Sequence, residues 1–260
     1  MNSGLKTTFL IIGYLIIILS GFMVIPHVVE MTIGDKSQHF LVTGILSAFI
    51  GTLLILVSQT NDRSLNVQQA FLMTNLAWLS ICFFGALPLY FSSLDLSFTD
   101  AFFESVSGIT TTGSTILTEV ERASKGVLIW RSLLQWLGGI GIIVMAITIL
   151  PLLNIGGMQL FRSEGMEVEK VVPKVTEIAL SITKIYIVIT ILCSLAYWLS
   201  GMNVFDAINH ALTTVSTGGY STYSQSIGYF NSTIIEIVAI FFIITGSIPF
   251  LAYIKFVRGD

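Results

Sequence analysis

"FFESVSGITTTGSTILTEVERA", Phe102 to Ala123, runs a short helix-like stretch into a cluster of hydroxyls and one glycine, Thr110-Thr111-Thr112-Gly113-Ser114-Thr115. On either side the chain is apolar for long enough to cross a bilayer, which takes about 20 residues. A polar, helix-breaking sextet between two such segments has two readings. One is an ordinary capping turn. The other is irregular backbone at membrane depth, which is tolerated only where it is buried in protein or lines a watery cavity.

A second copy favours the latter. Residues 93–126 and 201–232 each begin with a short amphipathic stretch, "SFTDAFFESVSG" and "NVFDAINHALTTV", and each then enters a Thr/Ser/Gly cluster and a polar return. An offset of 206 − 100 = 106 sets Asp100-Ala101 on Asp206-Ala207 and carries Gly113 onto Gly219 without a gap. The same offset sets Thr110-Thr111-Thr112-Gly113 against Ser216-Thr217-Gly218-Gly219. Each cluster predicts a re-entrant pore loop.

The rest of the chain frames these loops. Of 260 residues, 54% are hydrophobic and 10% charged, and the mean hydropathy is +0.87. A soluble surface needs more charge, with about 25% typical. Six apolar segments, at about 8–29, 38–58, 67–92, 127–153, 177–200 and 233–256, read as membrane spans. The predicted fold is therefore an all-α polytopic membrane protein. It comprises an N-terminal two-span hairpin (1–60) and two span–pore loop–span repeats (64–155 and 175–260), giving six membrane spans and two re-entrant half-helices. Such repeats place the substrate path at their interface.

Lysine and arginine set the orientation. Lys6, Arg63, Arg162, Lys170, Lys174, Lys255 and Arg258 fall on one face, and Lys36, Arg122, Lys125 and Arg131 on the other. Seven against four predicts both termini in the cytoplasm. The N-terminal apolar run outlasts a signal-peptide core and lacks a small-residue cleavage site, so it reads as the first retained span. Cys82 and Cys193 lie in apolar segments and read as packed, reduced thiols. No basic, aromatic-interleaved patch points to nucleic acid. No zinc-protease, nucleophile-elbow or phosphate-loop motif supports an enzyme, and no cofactor is expected.

A partly dehydrated alkali cation needs several oxygens without a strong counter-charge, which backbone carbonyls supply, with glycine permitting the geometry. Threonine hydroxyls add oxygens. The short helix before each cluster directs its negative C-terminal end toward the cation. Asp100 and Asp206 suit the helix starts as caps. Glu104 and His210 occupy equivalent positions, as loop anchors in preference to ion contacts. Arg131 reads as an interfacial anchor in preference to a partner for a loop acid, and Glu236 and Lys184 as snorkelling groups near span ends. Gly138-Gly139-Ile140-Gly141 suggests close helix packing, and "NIGGMQLFRSEG" (154–165) lacks the context of a nucleotide loop.

The stretches "FTDAFFESVSGITTTGST", "RSLLQWLGGIGIIVMAITILPLL", "GGMQLFRSE" and "FDAINHALTTVSTGGYST" resemble the TrkH branch of the Trk/Ktr/HKT potassium transporter superfamily, over essentially the whole chain. The resemblance implies a bacterial inner-membrane protein that takes up potassium through a pseudo-fourfold pore. It also implies a homodimer and a cytoplasmic TrkA-type nucleotide-binding regulatory subunit. Carried over, Thr110 to Gly113 form one filter segment and Ser216 to Gly219 another, with the carbonyls of Thr111, Thr112, Thr217 and Gly218 facing potassium. Such proteins carry four pore repeats and this chain carries two. The expectation is thus a complementary C-terminal half, or a truncated or split, non-conducting subunit that needs one.

Overall fold

The computed structural model describes residues 3–60, 67–153 and 171–258. Every regular element among them is helical. In order these are α1 (Ser3–Phe22), α2 (Val24–Thr32), α3 (His39–Val57), α4 (Val67–Tyr90), α5 (Phe98–Ile109), α6 (Lys125–Leu153), α7 (Val171–Leu199), α8 (Val204–Val215), α9 (Thr233–Ser247) and α10 (Phe250–Arg258). Four stretches among the described residues are long and apolar enough to cross a membrane: Gly4–Thr32, His39–Val57, Gln68–Tyr90 and Glu177–Leu199. The loops after α3 and α6, with Arg63, Arg162, Lys170 and the 154–165 stretch, lie outside the described residues.

Prolines explain two departures from the expected spans. The first span is jointed at Met23, because Pro26 has no N–H to offer the Phe22 carbonyl one turn back. The last, expected as continuous over 233–256, is broken. Ile248 precedes Pro249 and takes extended angles (φ −70°, ψ 132°), since a following proline disfavours helical geometry. The Tyr253 hydroxyl then donates to the Thr245 carbonyl at 2.7 Å, fastening α10 back onto α9.

Two apolar cores hold these helices. Ile12, Ile16 and Leu19 form one stripe on α1 that, with Met23 at the joint, joins Phe40, Leu89, Trp130 and Leu134. Ile182, Tyr186, Ile189, Cys193 and Tyr197 form another on α7, which packs with Ala211, Val215, Phe242 and Phe250. Trp136 touches both clusters. Cys82 and Cys193 are buried free thiols. The outward faces carry apolar residues such as Ile45, Phe49, Val57, Ile191 and Leu199, which suits lipid rather than water.

Glu30, which no sequence pattern singled out, docks α2 on the start of α6. It is fully buried, accepts from the Ser124 hydroxyl at 2.8 Å and lies 3.6 Å from His39 Nε2. Ser124 in turn caps α6, accepting from the Val127 N–H at 3.2 Å. At the crossing of α1 and α3, a Cβ on Gly51 would lie 2.9 Å from the Gly13 carbonyl oxygen and 2.8 Å from an Ile17 side-chain carbon. Gly51→Leu should therefore destabilise the protein by about 1–3 kcal/mol, the usual range for overpacking. Gly21→Leu, with nothing within 4 Å of its Cβ position, should be nearly neutral. Unfolding in detergent micelles checks both; equal effects would contradict the close crossing.

Candidate functional site: two matched Thr/Gly loops

Each loop is launched by a capped short helix. Ser97 caps α5 and accepts from the Asp100 N–H at 3.2 Å; Asn203 caps α8 and accepts from the Asp206 N–H at 2.9 Å. The caps are thus not the aspartates, as the sequence suggested. Asp100 and Asp206 stand three residues on and receive hydrogen bonds back from Ser97 Oγ (2.7 Å) and Asn203 Nδ2 (2.6 Å), a reciprocal arrangement like a capping box. At the far ends, the Thr110 and Ser216 hydroxyls donate to the Val106 and Leu212 carbonyls, both at 2.8 Å. These two hydroxyls close helix ends.

Beyond the helices the backbones repeat each other bond for bond. Thr112 and Gly113 N–H point to the Ser107 carbonyl at 3.0 and 3.4 Å, and Gly218 and Gly219 N–H to the Thr213 carbonyl at 2.8 and 3.3 Å. Thr111 and Thr217 have φ of 55° and 54°, Gly113 and Gly219 of 79° and 80°. The residue between each pair stays at negative φ, as do Thr110 (−83°) and Ser216 (−76°). Positive φ in a β-branched residue is an outlier that persists only where its surroundings over-determine it, and such outliers gather at functional sites. Two at equivalent places mark a shape being held.

Equivalent struts hold the returns. Glu104 Oε1 accepts from the Thr115 hydroxyl and the Ile116 N–H. At the matching positions, His210 Nδ1 donates to the Asp206 carbonyl at 2.8 Å, which leaves Nε2 to accept from the Ser221 hydroxyl at 2.9 Å. The anchoring role expected of Glu104 and His210 agrees with this geometry. Arg131 departs from its expected role. It is 1% exposed and donates from Nε to Glu104 Oε2 at 3.0 Å and from an Nη to Thr115 Oγ1 at 3.0 Å. Its guanidinium lies 4.0 Å from the Tyr220 ring centroid. It is the partner of a loop acid, not an interfacial anchor, because the turn of α6 that carries it faces the loops rather than the bilayer.

The two clusters meet. A Cβ on Gly113 would overlap the Gly218 carbonyl oxygen, whereas at Gly219 nothing lies within 4 Å. The Tyr220 hydroxyl sits 3.0 Å from the Glu104 carbonyl and 3.2 Å from that of Ser114, tying the second loop to the first. Ser132 of α6 donates to Asn209 of α8 at 2.8 Å. Further out, Glu121 accepts from the Ser224 N–H (3.1 Å) and hydroxyl (2.6 Å), which holds its carboxyl below the usual range. Gly138 and Gly139 let α6 pass close beneath: a Cβ on Gly138 would overlap the Ile109 carbonyl, and one on Gly139 would come within 3.1 Å of Ser216. Gly141 meets only Trp78, at 4.0 Å. Glu236 and Lys184 are exposed on α9 and α7. Thr110, Thr112, Thr217 and Gly219 remain exposed.

Gly113→Ala and Gly219→Ala should separate. The second meets only left-handed strain, roughly 1–2 kcal/mol; the first adds a backbone clash and should cost clearly more. Arg131→Leu, which leaves the buried Glu104 carboxylate unpaired, should cost about 3–5 kcal/mol, and adding Glu104→Gln should recover part of it. Unfolding in micelles reads all four and Glu104→Gln alone; additive losses at Arg131 and Glu104 would contradict the ion pair.

Comparison with known proteins identifies relatives over most of the chain. The family described as TrkH, cation transport protein, matches residues 36–258. The Trk system potassium uptake protein TrkH of Escherichia coli (strain K12) is 43% identical over 242 residues, 91% of this chain and 50% of that protein. The Trk system potassium uptake protein TrkI of Halomonas elongata is 41% identical over 255 residues, 96% of this chain and 51% of that one. Among solved structures, the potassium transporter TrkH from Vibrio parahaemolyticus superposes with a TM-score of 0.81 at 35% identity, covering 92% of this chain and 48% of that one. The chain spans about half the length of these relatives. On sequence and fold together, this multi-pass membrane protein belongs to the TrkH family of cation transport proteins.

Proposed function

We propose that this chain forms two of the four walls of a potassium uptake pore, with Thr110–Gly113 and Ser216–Gly219 as filter segments. The observation that carries this reading is the repeated backbone: positive φ at Thr111, Gly113, Thr217 and Gly219, with the two segments in contact. Alternating signs of φ turn successive peptide groups so that their oxygens gather on one side, as a carbonyl filter requires. Among the described residues no backbone N–H outside the helices is bonded to the Thr111, Thr112 or Thr217 carbonyl, which leaves them to face the ion. Gly218 keeps one of its two lone pairs for it, the other being taken by Gln135.

In this reading α5 and α8 are re-entrant half-helices whose C-terminal ends favour a cation. Six spans arise from α1–α2, α3, α4, α6, α7 and α9–α10, within a hairpin of 1–60 and repeats of 64–155 and 175–260. Both termini face the cytoplasm across a bacterial inner membrane. Potassium moves down its electrochemical gradient, worth about 2.3 kcal/mol per charge per 100 mV. The relatives' length suggests a complementary half that supplies two more loops; a homodimer and a TrkA-type regulatory subunit complete the assembly by family resemblance. The exposed Thr217 and Gly219 favour a second reading, in which this chain alone is non-conducting because two loops make half a ring.

The test is potassium-limited growth of an uptake-deficient bacterium that expresses this chain alone or with a two-repeat half from a relative. Growth with the complementary half, and not without it, is the expected result. Growth in neither arm, with both chains present in the membrane, would overturn the transport reading.

A further inference from the structure

Gln135 belongs to α6 in the first repeat, yet its side chain is wholly buried against the second repeat's loop. Its Nε2 donates to the Gly218 carbonyl at 2.9 Å, and its Oε1 accepts from the Tyr220 N–H at 3.1 Å. One carboxamide therefore bridges the residues on either side of Gly219, the left-handed glycine. A Cβ on Gly218 would overlap that carboxamide, so glycine at 218 is what lets the amide approach. The pairing is selective in chemistry as well as in shape: a buried amide that offers a donor to a carbonyl and an acceptor to an N–H satisfies all the atoms involved.

In the second repeat α9, the helix that follows the loop as α6 follows the first, has no counterpart to Gln135. Gly138 and Gly246 do the same job, passing close to the Ile109 and Val215 carbonyls at the ends of α5 and α8. Their separation, 246 − 138 = 108, sets 135 + 108 = 243 opposite Gln135, and position 243 is an exposed isoleucine. The brace is thus a particular device of the second loop and not a general feature of the repeat.

We propose that Gln135 is a positioning residue that determines ion preference, by fixing the direction of the Gly218 carbonyl from outside the ion path. This rests on the filter reading above. On the cavity-size account of selectivity, sodium is held well only if the surrounding oxygens move inward, and a carbonyl tied to a packed helix moves less. Because the amide nitrogen reaches the Gly218 oxygen directly and the amide oxygen is engaged by the Tyr220 N–H, its removal leaves the carbonyl in place and frees its orientation.

The experiment uses this chain co-expressed with a complementary two-repeat half in membrane vesicles, reading potassium and sodium uptake. Gln135→Leu should lower the potassium-over-sodium ratio, by at most about tenfold if the full strength of one ordinary hydrogen bond distinguishes the two ions. Gln135→Glu keeps the acceptor for Tyr220 but donates to Gly218 only when protonated. Its ratio, relative to the unaltered pair at each pH, should be low at pH 8 and recover as the medium is acidified, a profile that a packing defect would not produce. Transport by the unaltered pair together with unchanged ratios in both variants overturns the proposal. A loss in Gln135→Leu with a flat profile in Gln135→Glu overturns the hydrogen-bond account. Should Gln135→Leu fail to reach the membrane, the Gln135→Glu profile decides alone. No uptake by the unaltered pair would instead remove the filter reading itself.

Discussion

A threonine held at positive φ is unfavourable by roughly 1–2 kcal/mol, and this fold holds one at each of two matching places, Thr111 and Thr217. Left to itself, either cluster would relax into the capping turn that its composition also suits. Much of the packing around the loops resists that relaxation. The helix carbonyls of Ser107 and Thr213 each gather two N–H groups and force the turn. Glu104 and His210 then pin the returning strands from within the same short helices. The glycines of α6 bring a third wall against the helix ends. Much of this buried polar network would add little to stability in a protein whose only task was to fold.

A buried positive charge, Arg131, lies beside the loops, which is at first unexpected if they line a cation path. Arg131 is acceptable there because its charge is consumed locally. Its Nε pairs with the Glu104 carboxylate at 3.0 Å, and the Tyr220 ring lies over it. The pair is close to neutral seen from the clusters, while its hydrogen bonds stay directional. Asp206 does similar work in the second repeat without a cation, accepting from Thr222 at 2.7 Å and Tyr223 at 3.0 Å. The two loops reach the same backbone shape through different side chains, so the shape is the common requirement and the chemistry of the clamp is free to differ.

That freedom explains what was legible in the sequence. The duplicated Asp-Ala and terminal glycine, and the Thr/Gly spacing between them, survive as letters because the backbone demands them at fixed offsets. Hence the two loops and the equivalence of Glu104 with His210 could be read directly. The capping residues were misplaced by three positions, since aspartate at the third helical position resembles a cap until Ser97 and Asn203 are seen to occupy it. Arg131, Gln135 and Glu30 were misread or missed for another reason. Their partners lie 27, 83 and 94 residues away, and no local period records a contact over such distances. A glutamine within an apolar segment was the available signal for Gln135, because a buried amide must find partners.

The asymmetry of the glycines carries the argument one step further. Gly113 is closed in by the second loop's own carbonyl, while nothing stands against Gly219. In a ring of like segments each glycine would face the carbonyl of the next segment round. Gly113 has that neighbour within this chain, and Gly219 would find its own only in a third segment. In the proposed filter, this open side of Gly219 is where a further segment of the same kind would pack.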